Sequence, residues 1–279
     1  MRLRTASLFG VAVAIFAAGA AHATGDADVA ALQVGLQAHD LYSDDVDGYV
    51  GPRTLAGLER LPGATTLFAP ATRAALGDYG AYALGSRPLV TGTSGWDVSA
   101  LQFKLAWHGF PSGRFDGILG PRTKAALLRF QRWAGIHPIA VAGPRTLAAL
   151  RLPPAVCPFS LAAPIDARAT DGFGPRGSGF HTGIDFPAPT GTPVTAALGG
   201  VVRAAGWLAG YGQVVILRHE QGVMTLYAHL SRILVDPGRP VARGAVVGLV
   251  GQTGDATGPH LHFEVRLRGA AVDPAPALG

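Results

Sequence analysis

The sequence predicts two small three-helix modules followed by an antiparallel all-β domain, and three observations carry that prediction. Short motifs in the first half recur at one constant offset, a proline-rich stretch ends the helical pattern, and short β-branched runs then alternate with glycine turns. With 48% hydrophobic and 15% charged residues among 279, the chain has the composition of folded domains rather than of disorder.

Residues 1–23 read as an export signal. Arg2 and Arg4 give a positive start, residues 8–21 are apolar and alanine-rich, and Ala21-His22-Ala23 offers a small-x-small cleavage site. The apolar stretch is shorter than the ~20 residues a membrane span needs. No later segment is long enough either, so the mature protein is expected to be secreted and without a span. Losing Arg2 and Arg4 lowers the formal charge from +5 to +3. There is no Lys/Arg run and no aromatic-basic interleaving, which excludes nucleic acid as the expected partner. Cys157 is the only cysteine, so an intramolecular disulfide and a thiolate metal cluster are both excluded. It reads as an incidental linker thiol.

The helical part is placed at residues 24–88 and 89–151. Leu32-Gln33, Asp47-Gly48 and Gly51-Pro52-Arg53-Thr54 recur 69 residues later as Leu101-Gln102, Asp116-Gly117 and Gly120-Pro121-Arg122-Thr123. In the second copy Val98, Leu101 and Leu105 have helical spacing, and Gly109 marks a stop. Pro121 opens the next helix, where its fixed φ is favourable and its missing N–H costs nothing. Ala126, Leu127, Phe130 and Trp133 form its apolar face, Gly135 ends it, and Gly143-Pro144-Arg145-Thr146 starts a third. Residues 95–151, with Phe130-Gln131, resemble the peptidoglycan-binding module of many wall hydrolases. Residues 26–85 resemble it in their first half, but the later helix start reads Ala69-Pro70-Ala71-Thr72 and there is no Phe-Gln pair. The resemblance implies peptidoglycan as a binding target; the competing reading is a pair of spacers.

Residues 152–159 read as a proline-rich linker and 160–279 as the β domain, with strands such as Val214-Val215-Ile216-Leu217. Three motifs there carry chemistry. In His181-Thr182-Gly183-Ile184-Asp185, Gly183 and the flanking Phe180 and Phe186 argue for strand or loop, and the imidazole and carboxylate suit a shared cation. In His260-Leu261-His262-Phe263-Glu264-Val265 strict alternation marks a half-buried strand, with His260, His262 and Glu264 on one face. Tyr227-Ala228-His229-Leu230 follows an apolar strand and by itself says little, since a histidine near a strand end is commonly structural.

Together with Gly191-Thr192-Pro193-Val194 and Thr257-Gly258-Pro259, these motifs resemble the lysostaphin-type (LytM-type) zinc endopeptidases of bacterial cell walls over about residues 160–276. The resemblance implies zinc held by His181, Asp185 and His262, with His229 and His260 as active-site histidines that are not ligands. Three protein ligands leave zinc an open position for water, as in catalytic sites. His229 or His260 would accept the water proton, and the other would stabilise the oxyanion or protonate the leaving amine. Glu264 is open between a partner that orients a ligand imidazole and a solvated or structural carboxylate. His219 reads as structural or exposed; His39, His108 and His137 carry no ligand spacing.

The expected function is therefore a secreted zinc metalloendopeptidase that cuts peptidoglycan cross-links with a metal-activated water. The alternative is a non-catalytic wall-binding regulator of another hydrolase, although no expected ligand or histidine position is empty. A biotinyl or lipoyl carrier fails because no lysine follows Pro158. A glycosidase would want two carboxylates flanking a sugar site rather than imidazoles around a cation.

Overall fold

The structure, a computed structural model, describes residues 24–278. The export signal expected at 1–23 lies outside the described residues.

Six α-helices come first: α1 (Ala27–Ala38), α2 (Pro52–Arg60), α3 (Pro70–Ala75), α4 (Trp96–Trp107), α5 (Pro121–Trp133) and α6 (Pro144–Ala149). Four of them begin on proline. Asp26 caps α1 by accepting from the N–H groups of Asp28 and Val29, at 2.7 and 3.1 Å.

The repeated motif turns out to be one hydrogen-bonded latch. The Gln102 amide, buried in α4, donates to Asp116 Oδ1, the Ile118 carbonyl and Thr123 Oγ1, while its oxygen accepts from the N–H groups of Asp116 and Gly117. Gln33 does the same with Asp47, Tyr49, Thr54 and Gly48. Leu-Gln, Asp-Gly and Gly-Pro-Arg-Thr recur together because a buried amide needs all of these partners at once. Gln131 repeats the device toward Val141, Thr146 and Ala140.

The two helical units do not stand apart. Helix α1 is buried nearly all round because it packs on α4: Ala30 and Val34 share a core with Phe103, Ala106 and Phe115, while Leu32 and Leu36 share another with Trp96 and Ala100. Trp96 Nε1 donates to Asp28 Oδ1 at 2.6 Å.

Eleven strands follow: β1 (Gly174–Arg176), β2 (Gly179–His181), β3 (Ile184–Pro187), β4 (Pro193–Thr195), β5 (Gly200–Leu208), β6 (Gly212–Arg218), β7 (Val223–Ile233), β8 (Pro240–Val241), β9 (Val246–Val250), β10 (His260–Leu267) and β11 (Ala270–Val272). All the strand pairs are antiparallel. β1 and β2 form a separate hairpin, and the main sheet runs β11-β10-β7-β6-β5-β8. β3 and β11 share one edge of β10, and β7 takes the other. Leu261, Phe263 and Val265 point into a core with Tyr227, Leu217, Val202 and Ile184. Residues 155, 157 and 159 of the proline-rich stretch lie against this core, so it is not a free tether. Burial raises the pKa of the Cys157 thiol, which donates weakly to the Phe159 carbonyl.

The helices also dock on the β domain. Trp107 meets Phe180 and Phe173 edge-on, at ring distances of 5.3 and 6.2 Å. Trp133 Nε1 donates to the Leu267 carbonyl, and Ala270 sits in the core of the second helical unit. Gly109, at φ +84° after α4, lets the chain pass so close that a Cβ there would stand 2.1 Å from the Ala271 carbonyl oxygen. No helix among the described residues is long and apolar enough to cross a membrane.

Candidate metal centre

Sheet register builds the site. In β10, His262 lies opposite Asp185 of β3 and, across its other ladder, opposite Ala228 of β7. Facing residues of an antiparallel pair hold their Cβ atoms about 4.5–5.5 Å apart on one face. Imidazole and carboxylate, 77 positions apart in the chain, thus stand side by side. His181, the last residue of β2, reaches them across the Thr182-Gly183 corner. A Cβ on Gly183 would lie 2.4 Å from the Phe263 carbonyl oxygen and 2.9 Å from His262 Cε1, so the corner can close only on glycine.

Nε2 of His181, Nδ1 of His262 and Oδ1 of Asp185 stand 3.0, 2.8 and 3.2 Å from one another. The outward ring nitrogens are held: His181 Nδ1 faces the Gly172 carbonyl at 2.7 Å, and His262 Nε2 faces Glu264 Oε1 at 3.1 Å. A carbonyl and an ionised carboxylate only accept, so the outward nitrogens carry the protons and the inward ones are bare lone pairs. Three lone-pair atoms this close repel one another unless positive charge sits among them. A tetrahedral zinc with N/O ligands at about 2.0–2.1 Å would space its donors about 3.3 Å apart, close to the observed separations. Among the described residues these three form a group able to hold a metal ion.

Ionisation carries the same demand for positive charge. Burial pushes the Asp185 carboxyl up, but when the inward ring nitrogens carry protons the hydrogen bonds and positive charge of His181 and His262 outweigh it and hold the group well below the usual carboxylate range. Burial likewise works against a charge on His262, yet Asp185 and Glu264 raise its pKa above the ordinary value. Glu264 is pulled down to about 2: burial opposes ionisation, and His262 and Arg266 overcome it.

Of the two roles open to Glu264, the geometry selects the buried one. The carboxylate is wholly inaccessible and accepts from Thr182 Oγ1, Tyr211 OH, His262 Nε2 and Arg266 Nε. The expected half-buried strand is corrected with it. Residues 261–265 are buried on both faces, because the polar side chains of the second face satisfy one another under Tyr211.

His229 and His260 stand beside this group. Their rings are 4.7 Å apart, and His260 Nε2 is 3.8 Å from Asp185 Oδ1. His229 Nδ1 donates to the Thr253 carbonyl at 2.7 Å and His260 Nδ1 to the Gly258 carbonyl at 2.8 Å. In its neutral form each ring therefore keeps Nε2 as a lone pair. Burial depresses the His229 pKa; the Thr253 carbonyl opposes this, and the neighbouring imidazoles add to it. His229 is not near a strand end as its sequence suggests but seven residues into β7, at φ +59°. There β7 stops pairing with β10, at Ala228, and starts pairing with β9, at Leu230. A non-glycine residue at positive φ is strained, and such residues gather at functional sites.

His219 lies elsewhere and is structural. It is buried between the Gly199 carbonyl and Thr225 Oγ1, in a chain of bonds that runs on through the Tyr227 hydroxyl to the Ala197 N–H. His39 and His108 end equivalent helices and point Nε2 at the carbonyls of Leu76 and Leu150. Sequence reasoning missed Thr182, Tyr211, Thr253, Arg176 and Arg266 as supports of the site. Only Arg266 left a signal, since it continues the alternation of 260, 262 and 264.

Residues 179–274 match peptidase family M23. The chain carries an M23 peptidase domain. Ahead of the M23 domain, residues 94–150 match a peptidoglycan binding domain. Over 95 residues the chain is 53% identical to the DD-carboxypeptidase/endopeptidase Mpg of Neisseria meningitidis serogroup B, covering 34% of this chain and 22% of that protein. Over 93 residues it is 46% identical to the peptidoglycan DD-endopeptidase ShyA of Vibrio cholerae, covering 33% and 22%. Over 97 residues it is 43% identical to the murein hydrolase activator EnvC of Escherichia coli, covering 35% and 23%. The chain thus spans about a fifth of the length of these relatives. Among solved structures it resembles the catalytic domain of lysostaphin from Staphylococcus simulans at 36% identity and a TM-score of 0.39, covering 40% of this chain and 91% of that one.

Proposed function

We propose that this protein is a secreted zinc metalloendopeptidase that hydrolyses peptide cross-links of bacterial peptidoglycan, with its M23 domain as the catalytic unit and its helical modules directed at the wall. The observation that carries the reading is the convergence of three lone-pair donors, with His229 and His260 presenting free Nε2 atoms beside them.

His181 Nε2, His262 Nδ1 and Asp185 Oδ1 would hold the zinc. Zinc, when bound, supplies Lewis acidity that activates water and polarises a carbonyl. The chain does the proton work. His229, kept neutral by burial, and His260 are the bases within reach; one takes the proton of the attacking water and can pass it on to the leaving amine, and the other, when it carries a proton on Nε2, stabilises charge on the carbonyl oxygen or protonates the leaving amine. Glu264 and the Gly172 carbonyl fix the tautomers of the ligand imidazoles, which keeps their inner nitrogens bare. Wall binding is supported by the match of residues 94–150. It is not supported by the repeated motif itself, whose Gln, Asp and Thr side chains are used inside the fold.

Digestion of purified peptidoglycan followed by mass spectrometry of the muropeptides tests the reading. The relatives named DD-endopeptidases lead us to expect a new amino terminus where a D-alanine cross-link was cut. Zinc content should be near one per chain, and His181→Ala and His262→Ala should lose metal and activity together. His229→Ala and His260→Ala should keep zinc and lose about 10²–10⁴-fold in turnover, the scale for a positioned acid or base. A zinc-loaded wild type that cleaves nothing yet stimulates another wall hydrolase would replace the reading with that of a regulator.

A further inference from the structure

The carboxylate of Asp185 has two oxygens with different neighbours. Oδ1 faces His181 and His262, whereas Oδ2 accepts from Arg176 Nη2 at 2.8 Å. Arg176 also pairs with Asp171, whose backbone bonds to that of Asp185: Asp185 N–H donates to the Asp171 carbonyl, and Thr170 N–H to the Asp185 carbonyl. One guanidinium thus braces two neighbouring carboxylates and leaves Asp185 a single free oxygen for the metal position.

His181 ends β2 at the open end of this hairpin, opposite Gly174, whereas Arg176 ends β1 beside the turn, opposite Gly179, and reaches Asp185 with its long side chain. The Gly177-Ser178 tip, next to Arg176, is gripped by both helical units. From the first, Asp45 Oδ1 accepts from Gly177 N–H and Val46 N–H donates to the Gly177 carbonyl. From the second, Phe115 N–H donates to the Ser178 carbonyl and Arg114 Nε to Ser178 Oγ. Trp107 of α4 packs on Phe173, which precedes the hairpin, and on Phe180 within β2. The hairpin shares no strand ladder with the main sheet. Its place is therefore set in large part by the helical units.

We propose that Arg176 is a positioning residue for Asp185, and that the helical modules, by gripping the hairpin that carries it, set the affinity of the metal centre. The proposal rests on the zinc reading above and goes beyond it by making the wall-directed modules part of the support of the catalytic site. A displacement of Asp45 or Phe115, such as docking on a wall would bring, moves Arg176 and His181 together.

The test is zinc affinity of the full chain, measured by competition with a chromogenic chelator. Removing a partner that orients a metal ligand costs about 10–100-fold in metal affinity. The Arg176 side chain is 48% exposed, so the lower end is expected: about 10-fold for Arg176→Ala, with part recovered in Arg176→Lys. The double variant Asp45→Ala/Arg114→Ala, which touches no residue of the site, should weaken zinc about 3-fold in the same direction with its circular dichroism unchanged. Saturating zinc should restore turnover of Arg176→Ala toward wild type. Wild-type affinity in Arg176→Ala overturns the positioning role. A weakened Arg176→Ala beside an unaffected, well-folded double variant overturns the coupling to the helical modules. A wild type that binds no zinc would instead remove the underlying reading of the metal centre.

Discussion

Replacing Glu264 by glutamine tests the support of the metal centre with hardly any change of shape. Every partner of this buried carboxylate is a donor: Thr182, Tyr211 and His262 to Oε1, and Arg266 to Oε2. A glutamine has one acceptor oxygen, and its NH₂ must face a donor whichever way the amide turns. With the oxygen in the Oε1 place, the NH₂ opposes Arg266 Nε–H, and a charge-assisted bond is exchanged for a donor–donor contact. Leaving a buried charged group without its partner costs about 2–3 kcal/mol, and for a chain of this size that lowers the melting temperature by about 5–10 °C. His262 keeps a neutral acceptor in place of an anion, so its Nδ1 becomes less basic and zinc affinity should fall about 10-fold. Melting curves with and without zinc, together with chelator competition, read both effects. A Glu264→Gln protein that melts with wild type and binds zinc as tightly would refute the role assigned to Glu264.

Three further outcomes follow from the same geometry. Gly183→Ala forces a methyl to within 2.4 Å of the Phe263 carbonyl oxygen; the corner must open, and zinc binding should fall by more than 10-fold, with folding stability lowered by about 1–3 kcal/mol through overpacking. Gln102→Ala strands the buried bonds to Asp116, Ile118 and Thr123, so urea unfolding should lose about 2–4 kcal/mol. With His229 as the base, the activity of wild type should fall on the acid side with an apparent pKa below 6.5. Burial depresses the His229 pKa, so its Nε2 stays free through neutral pH and is lost as a base only once pH falls through the depressed value. An acid limb centred above 6.5 would contradict this assignment.

The chain's own pattern determined a good deal. Periodicity and proline-led starts placed helices such as Pro121–Trp133, because a helix start has local chemical requirements. Alternation placed the strand carrying His260, His262 and Glu264, because side chains on a strand alternate by two whatever surrounds them. The repeat at a fixed offset announced one unit twice, though not why those residues recur; that needed the buried Gln33 and Gln102 amides and their partners in space.

What the tertiary structure alone decided is which distant groups meet. No local rule sets Asp185 opposite His262, since the register of a ladder between segments 77 positions apart comes from the core beneath it, where Ile184, Leu261 and Phe263 pack. The left-handed backbone of His229 arises where β7 changes partners, a property of the sheet and not of the Tyr-Ala-His-Leu segment. Arg176 and Glu264 gained their places in the same way. A charged side chain reads as solvated until the fold removes the water around it, and then the fixed donors and acceptors nearby determine its ionisation and its orientation.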